Sequence, residues 1–172
     1  STPVVGGVEA NDPRSRDLGK LLDEFVAAGF SGIINFPTLT NMPDQRRRAE
    51  MVGYGFEREV ELVSRARERD LFTMAYVAGV EDAEAMAIAG VDCLVTHSGP
   101  TVGGRVGYVD NRTIEQLCGD AQVLIDAAIK ENSEVVPLLH GGRLASPGDV
   151  LEALRITTAL GFVGASSIER IP

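Results

Sequence analysis

AIAGVDCLVT, residues 87–96, runs from an alanine-rich helical tail through Gly90 into an apolar β-like stretch. The same order recurs in AAGFSGIINF (27–36) and TALGFVGASS (158–167). In each, a small-residue helix end leads through a glycine and an apolar residue into a strand. Gly29, Gly90 and Gly161 lie 61 and 71 residues apart (90 − 29 and 161 − 90), about two βα units each. Recurrence at that period points to a (β/α) barrel more than to a doubly wound sheet.

Outward from these echoes, six apolar runs alternate with amphipathic stretches. The runs are VVGGV (4–8), GIINFP (32–37), FTMAYV (72–77), DCLVTH (92–97), VVPLLHGG (135–142) and GFVGASS (161–167). They read as continuous rather than alternating apolar segments, which suits parallel strands covered on both faces. Asp12 and Pro13 predict the start of the first helix, with Leu18, Leu21, Leu22, Phe25 and Val26 on its inner stripe. Phe56, Val60 and Val63 mark a later helix, beyond a long polar loop, and Ser146, Pro147 and Asp149 form a helix entry. No low-complexity linker interrupts the order, so a single domain over 1–172 is expected: an α/β, TIM (β/α)8-type barrel, incomplete, with about six βα units. Eight strands close such a barrel, and six parallel strands leave open edges. Either the chain is part of a longer barrel or another copy covers those edges, so a homo-oligomer is expected.

Composition narrows the function classes. The net charge of −9 argues against a nucleic-acid partner, which requires a basic face. No apolar run approaches the length of a membrane span and no basic-then-apolar leader is visible, so a cytoplasmic protein without membrane contact is expected. Arg46, Arg47 and Arg48, flanked by Asp44 and Glu50, read as a solvated loop or helix start rather than a phosphate clamp. Cys93 and Cys118 lack metal-site or CxxC spacing and read as reduced core residues.

In a barrel of this kind chemistry gathers at the carboxyl ends of the strands. Those ends carry Glu9, Asn35 with Thr38, Tyr76, His97, His140 with Gly141 and Gly142, and Ser166 and Ser167 followed by Glu169 and Arg170. The chain has two histidines, and both fall at such an end. Imidazole titrates near neutral pH, so His97 and His140 are candidate acid/base groups, with Glu169 as a third catalytic candidate. The glycines of HSGPTVGG (Gly103, Gly104), HGG (Gly141, Gly142) and VGASS (Gly164) expose backbone N–H groups, a candidate seat for a small anion. Ser166, Ser167 and Arg170 would add donors. Small residues that fit a tapering barrel interior are the competing reading.

GFSGIINFPT, HSGPTVGGRVG, LLHGGRLASPGDV and GFVGASSIERIP together resemble the TIM-barrel family called phosphoenolpyruvate hydrolase-like, also known as TIM-barrel signal transduction proteins. The resemblance runs from about Pro3 to Pro172. It implies a place near the phosphoenolpyruvate- and pyruvate-binding barrels, and a segment of two βα units ahead of TPVVGGV. It further implies an enzyme cleaving a small anionic phospho- or 2-oxo acid by hydrolase or lyase chemistry. The alternative is a non-catalytic barrel that binds such an anion and signals. The aspartate run that holds Mg²⁺ in phosphonopyruvate- and isocitrate-cleaving enzymes is not found in this sequence. A divalent cation such as Mg²⁺, held by Glu169 or Glu9, is therefore left open.

Overall fold

A computed structural model describes residues 2–103, 108–165 and 168. Six strands alternate with helices: β1 (Val5–Gly7), α1 (Leu18–Ala27), β2 (Gly32–Ile34), α2 (Pro43–Glu50), α3 (Glu57–Arg67), β3 (Phe72–Val77), α4 (Val80–Ile88), β4 (Cys93–His97), α5 (Ile114–Glu131), β5 (Val136–His140), α6 (Pro147–Ile156) and β6 (Gly161–Phe162). The strands form one sheet in the order β1-β2-β3-β4-β5-β6, and every neighbouring pair is parallel. A doubly wound sheet reverses its strand order part-way, whereas a barrel never does. The unreversed order is therefore that of a TIM-type barrel, incomplete among the described residues.

The register divides the sheet into two faces with different cover. Ile33, Ala75, Val77, Leu94 and Leu139 occupy one face, where they pack fully buried against the helix layer. The other, concave face carries Ile34, Met74, Val136 and Leu138, half-buried, beside the buried Cys93, Val95 and Tyr76. The outer side holds two apolar clusters. The larger joins α1, α3 and α4 to β2–β4 through residues such as Leu22, Leu62, Val63, Met86 and Leu94. The smaller joins α5 and α6 to β5 through Leu117, Ile125, Leu139 and Ala153.

Local signals fix most helix ends. Ser146 accepts the Asp149 backbone N–H while the Asp149 carboxylate accepts that of Ser146, the reciprocal capping box that SPGD encodes. Thr113 and Gln116 do the same for α5. The first helix departs from expectation. It begins at Leu18 with Asp17 as cap, accepting the Lys20 N–H, because Asp12 is engaged by the Arg14 backbone and guanidinium. The polar loop after β2 contains a helix, α2, which takes in Arg46, Arg47 and Arg48 and buries no residue of its own. Arg46 anchors it with a bidentate pair to the buried Asp82 of α4 and a stacking contact on Phe56, while Arg47 pairs with the exposed Asp44. β6 is shorter than expected, although the Val163 N–H still bonds the Leu139 carbonyl. Both cysteines are free and buried. Among the described residues no helix is long and apolar enough to cross a membrane.

Candidate functional site

The carboxyl ends of β3, β4 and β5 bring three rings together. His97 and His140 are register partners in the last paired row of β4 and β5, so both side chains leave the sheet on the concave face. Their ring centroids lie 4.8 Å apart at 78°. Tyr76 shares that face through its pairing with Val95. Its ring sits 5.1 Å from His97 and 4.9 Å from His140, with Phe36 6.1 Å away on its far side. Tyr76 and His140 are buried.

Hydrogen bonds fix the two imidazoles in opposite tautomers. The Gly99 backbone N–H donates to His97 Nδ1 at 3.1 Å, which requires a lone pair there and leaves the neutral ring's proton on Nε2. His140 Nδ1 lies 2.7 Å from the Val163 carbonyl oxygen, which can only accept, so its proton sits on Nδ1 and Nε2 keeps the lone pair. Neither Nε2 has a protein partner among the described residues. Burial, reinforced by the neighbouring His140, drives the pKa of His97 down to about 4, and burial lowers that of His140. At neutral pH the pair is therefore uncharged, with one hydrogen-bond donor and one acceptor. Burial raises the Tyr76 phenol, which stays protonated.

Part of the glycine backbone is engaged within the loops themselves. The Gly99 N–H is spent on His97, the Gly142 N–H on the Gly99 carbonyl, and the Val102 N–H on the Gly142 carbonyl. These bonds zip together the loops after β4 and β5, while the Gly141 N–H of the expected anion seat has no protein acceptor among the described residues. Gly141 shows why a side chain is excluded: its φ is +79°, and a Cβ would lie 2.1 Å from the Gly99 carbonyl oxygen. Gly103 forms an isolated bridge with Tyr108. A cavity of about 580 Å³ opens beside His97, lined also by Asn41, Ser98, Tyr108 and Arg112. It does not include His140 or Tyr76, so it flanks the imidazole pair.

Other candidates fall elsewhere. Asn35 and Thr38 turn away from the histidines and bond Glu59 of α3 on the outer side. Glu9 is exposed beyond β1, and Gly164 lies past the end of β6. Gly104, Ser166, Ser167, Glu169 and Arg170 lie outside the described residues. Glu59 itself was missed. A fully buried carboxylate, it sits at helical spacing with Phe56, Leu62, Val63 and Ala66, all buried, and a charge on an apolar stripe is the signal that could have found it.

Among the described residues no three His, Cys, Asp or Glu side chains converge as a metal-binding group. The donors that do converge are two imidazoles and a phenol, whereas Mg²⁺ favours carboxylate oxygens. Those three side chains do not fit that cation; of the carboxylates expected to hold it, Glu9 is exposed and Glu169 lies outside the described residues.

Comparison with known proteins places the geometry in context. The tomato (Solanum lycopersicum) ToMV susceptible protein tm-1(GCR26) is 36% identical over 98% of this chain and 22% of its own length. Protein y4pA of Sinorhizobium fredii is 35% identical over 99% of this chain and 28% of its own. The chain thus spans only about a quarter of these relatives. Among solved structures, 2,3-dimethylmalate lyase, a PEP mutase/isocitrate lyase superfamily member, superposes with a TM-score of 0.59 at 16% identity, covering 98% of this chain and 60% of that one. An HpcH/HpaI aldolase from Desulfitobacterium hafniense superposes at 0.56 and 11% identity, covering 98% and 64%. At such identities these two show the barrel fold alone. The sequence signature described as phosphoenolpyruvate hydrolase-like matches residues 1–172 from end to end, and the chain belongs to that family.

Proposed function

We propose that the concave mouth is the reacting site of an enzyme acting on a small anionic phospho- or 2-oxo acid by hydrolase or lyase chemistry. One observation carries this reading: two neutral imidazoles at adjacent strand ends, locked in opposite tautomers, with one Nε2 lone pair and one Nε2–H at the same mouth. His140 is the general base. In hydrolysis its Nε2 takes a proton from water as the water oxygen attacks, then returns that proton to the leaving group. In carbon–carbon cleavage it takes a hydroxyl proton and returns it to the enolate carbon. His97 does not give up its proton, since a neutral imidazole is a far weaker acid than imidazolium. It polarises the substrate oxygen through its Nε2–H, as a neutral electrophile. Family membership supports the substrate class.

Asparagine places its amide where Nδ1 stood, and glutamine places it where Nε2 stood. His140→Asn therefore keeps the bond to the Val163 carbonyl and deletes the base. With phosphoenolpyruvate, phosphonopyruvate and simple 2-oxo acids as probes, it should lose roughly 10²–10⁴-fold in kcat while calorimetry shows retained binding. A second reading is a non-catalytic anion-binding barrel that signals. The naming of one relative for susceptibility to ToMV, rather than for a reaction, favours it. No turnover by the parent on any of these probes, together with measurable binding, would establish it. The reading also includes assembly: β1 and β6 each pair on one side only among the described residues, so a protein of these 172 residues alone should scatter light as a homo-oligomer, whereas further βα units on a longer chain would cover the same edges.

A further inference from the structure

Glu59 has no exposure, yet it contacts none of the three rings. Its two oxygens accept four hydrogen bonds. Oε1 receives the Asn11 amide at 2.8 Å and the Leu39 backbone N–H at 2.8 Å. Oε2 receives the Asn35 amide at 2.6 Å and the Thr38 hydroxyl at 2.7 Å. Asn35 in turn grips the backbone of Tyr76 on both sides. Its Oδ1 accepts the Tyr76 N–H at 2.6 Å and its Nδ2 donates to the Tyr76 carbonyl at 3.1 Å. The Asn35 side chain thus acts as an extra peptide unit, carrying the β2–β3 ladder past Ile34, where backbone pairing stops.

We propose that Glu59 is a positioning residue for the imidazole pair: its carboxylate fixes Asn35, and Asn35 fixes Tyr76 edge-on against His97 and tilted against His140. The chain of contacts is continuous. It runs from α3 to the end of β2, across to β3, and from the Tyr76 ring to both histidines. Four donors converging on two oxygens need an acceptor at every contact, which a carboxylate supplies and an amide cannot. The same cluster holds the loops after β1 and β2, through Asn11, Thr38 and Leu39. Three neighbouring strand ends are therefore indexed to one buried charge. Any consequence for turnover rests on the function proposed above; the placement of Tyr76 does not.

The test is Glu59→Gln in the full chain, read by NMR of the imidazole carbons and nitrogens through a pH titration. The substitution turns one acceptor into a donor facing Asn35 and Thr38. Tyr76 should loosen, water should reach the pair, and the depressed histidine midpoints should rise by roughly half a pH unit or more. Leu62→Ala, on the same helix and fully buried, is the control: it should weaken the fold without moving either midpoint. Unchanged midpoints in a folded Glu59→Gln protein would overturn the proposal, as would an equal rise in Leu62→Ala. If Glu59→Gln does not fold, Asn35→Ala carries the same test, since it leaves the other three donors of Glu59 in place. Moved midpoints in a protein whose His140→Asn variant still turns over would sink the catalytic reading and leave the positioning role standing.

Discussion

The end of β2 and the ends of β4 and β5 look alike as sequence: an apolar run closing in a polar residue, Asn35 in one case and His97 and His140 in the others. Their fates are opposite. Asn35 follows the parity of Ile33, faces the helix layer and is consumed by Glu59 and the Tyr76 backbone. His97 follows the parity of Cys93 and Val95, faces the concave side and keeps one ring nitrogen free of protein partners among the described residues. A shift of one residue in register separates scaffold from site, because successive strand side chains point to opposite faces. The covered face builds the mouth, and the concave face holds the groups that can react.

The largest expected effect comes from breaking the covered side. Glu59→Leu leaves four donors unmet, three of them buried, and should cost about 3–5 kcal/mol in urea unfolding. A loss below about 1 kcal/mol would mean that water or a shifted loop satisfies those donors, and the contrast between the two strand ends would collapse. Next is Gly141→Ala, which attacks the other side. The left-handed backbone and the overlap with the Gly99 carbonyl together should cost about 3 kcal/mol. Hydrogen exchange at the Gly142 amide, which bonds that same carbonyl, should accelerate in step.

Much of the fold was legible because its signals are local. Gly29 and Gly90 both take positive φ at helix ends, whereas Gly161, the third glycine of the repeated pattern, opens β6 instead, and the SPGD cap formed as read. Convergence of His97 and His140 followed from their shared place at strand ends. Parity was not legible. GIINFP and DCLVTH are continuous apolar runs with no alternation to say which residues face which layer, so Asn35 and His97 could not be told apart. Glu59 was hidden among the charges of EREVELVSRAR, where only its spacing to Phe56 and Val63 sets it apart. The glycine loops are only partly legible, because sequence reports a missing side chain and not the carbonyl that already holds an amide, as at Gly142.

The histidines themselves sharpen the comparison through pH. His97, and by direction His140, has a folded pKa below its unfolded value near 6.5, so the unfolded chain binds more protons between about pH 6.5 and 4. Their contribution is present above that window and lost as pH falls through it. For His97, a folded value of about 4 makes the loss on the order of 2–3 kcal/mol. Urea unfolding from pH 7 to 4 should show this acid limb, and His97→Asn, which keeps an acceptor for the Gly99 N–H, should flatten it. A limb unchanged in His97→Asn would mean that His97 is not the group held neutral by burial.

Gly103→Ala should have the smallest effect, and it separates two causes that Gly141 combines. Gly103 also has positive φ, +77°, but a Cβ there would meet nothing within 4 Å among the described residues. Only the backbone strain of a left-handed alanine remains, about 1 kcal/mol. The difference of about 2 kcal/mol between the two glycine variants is then the cost of forcing apart the loops after β4 and β5. Equal costs would mean that those loops slide past the added methyl. In that case the convergence of His97 and His140 would be set by the sheet register alone, and the zipped glycines would contribute nothing to the geometry of the mouth.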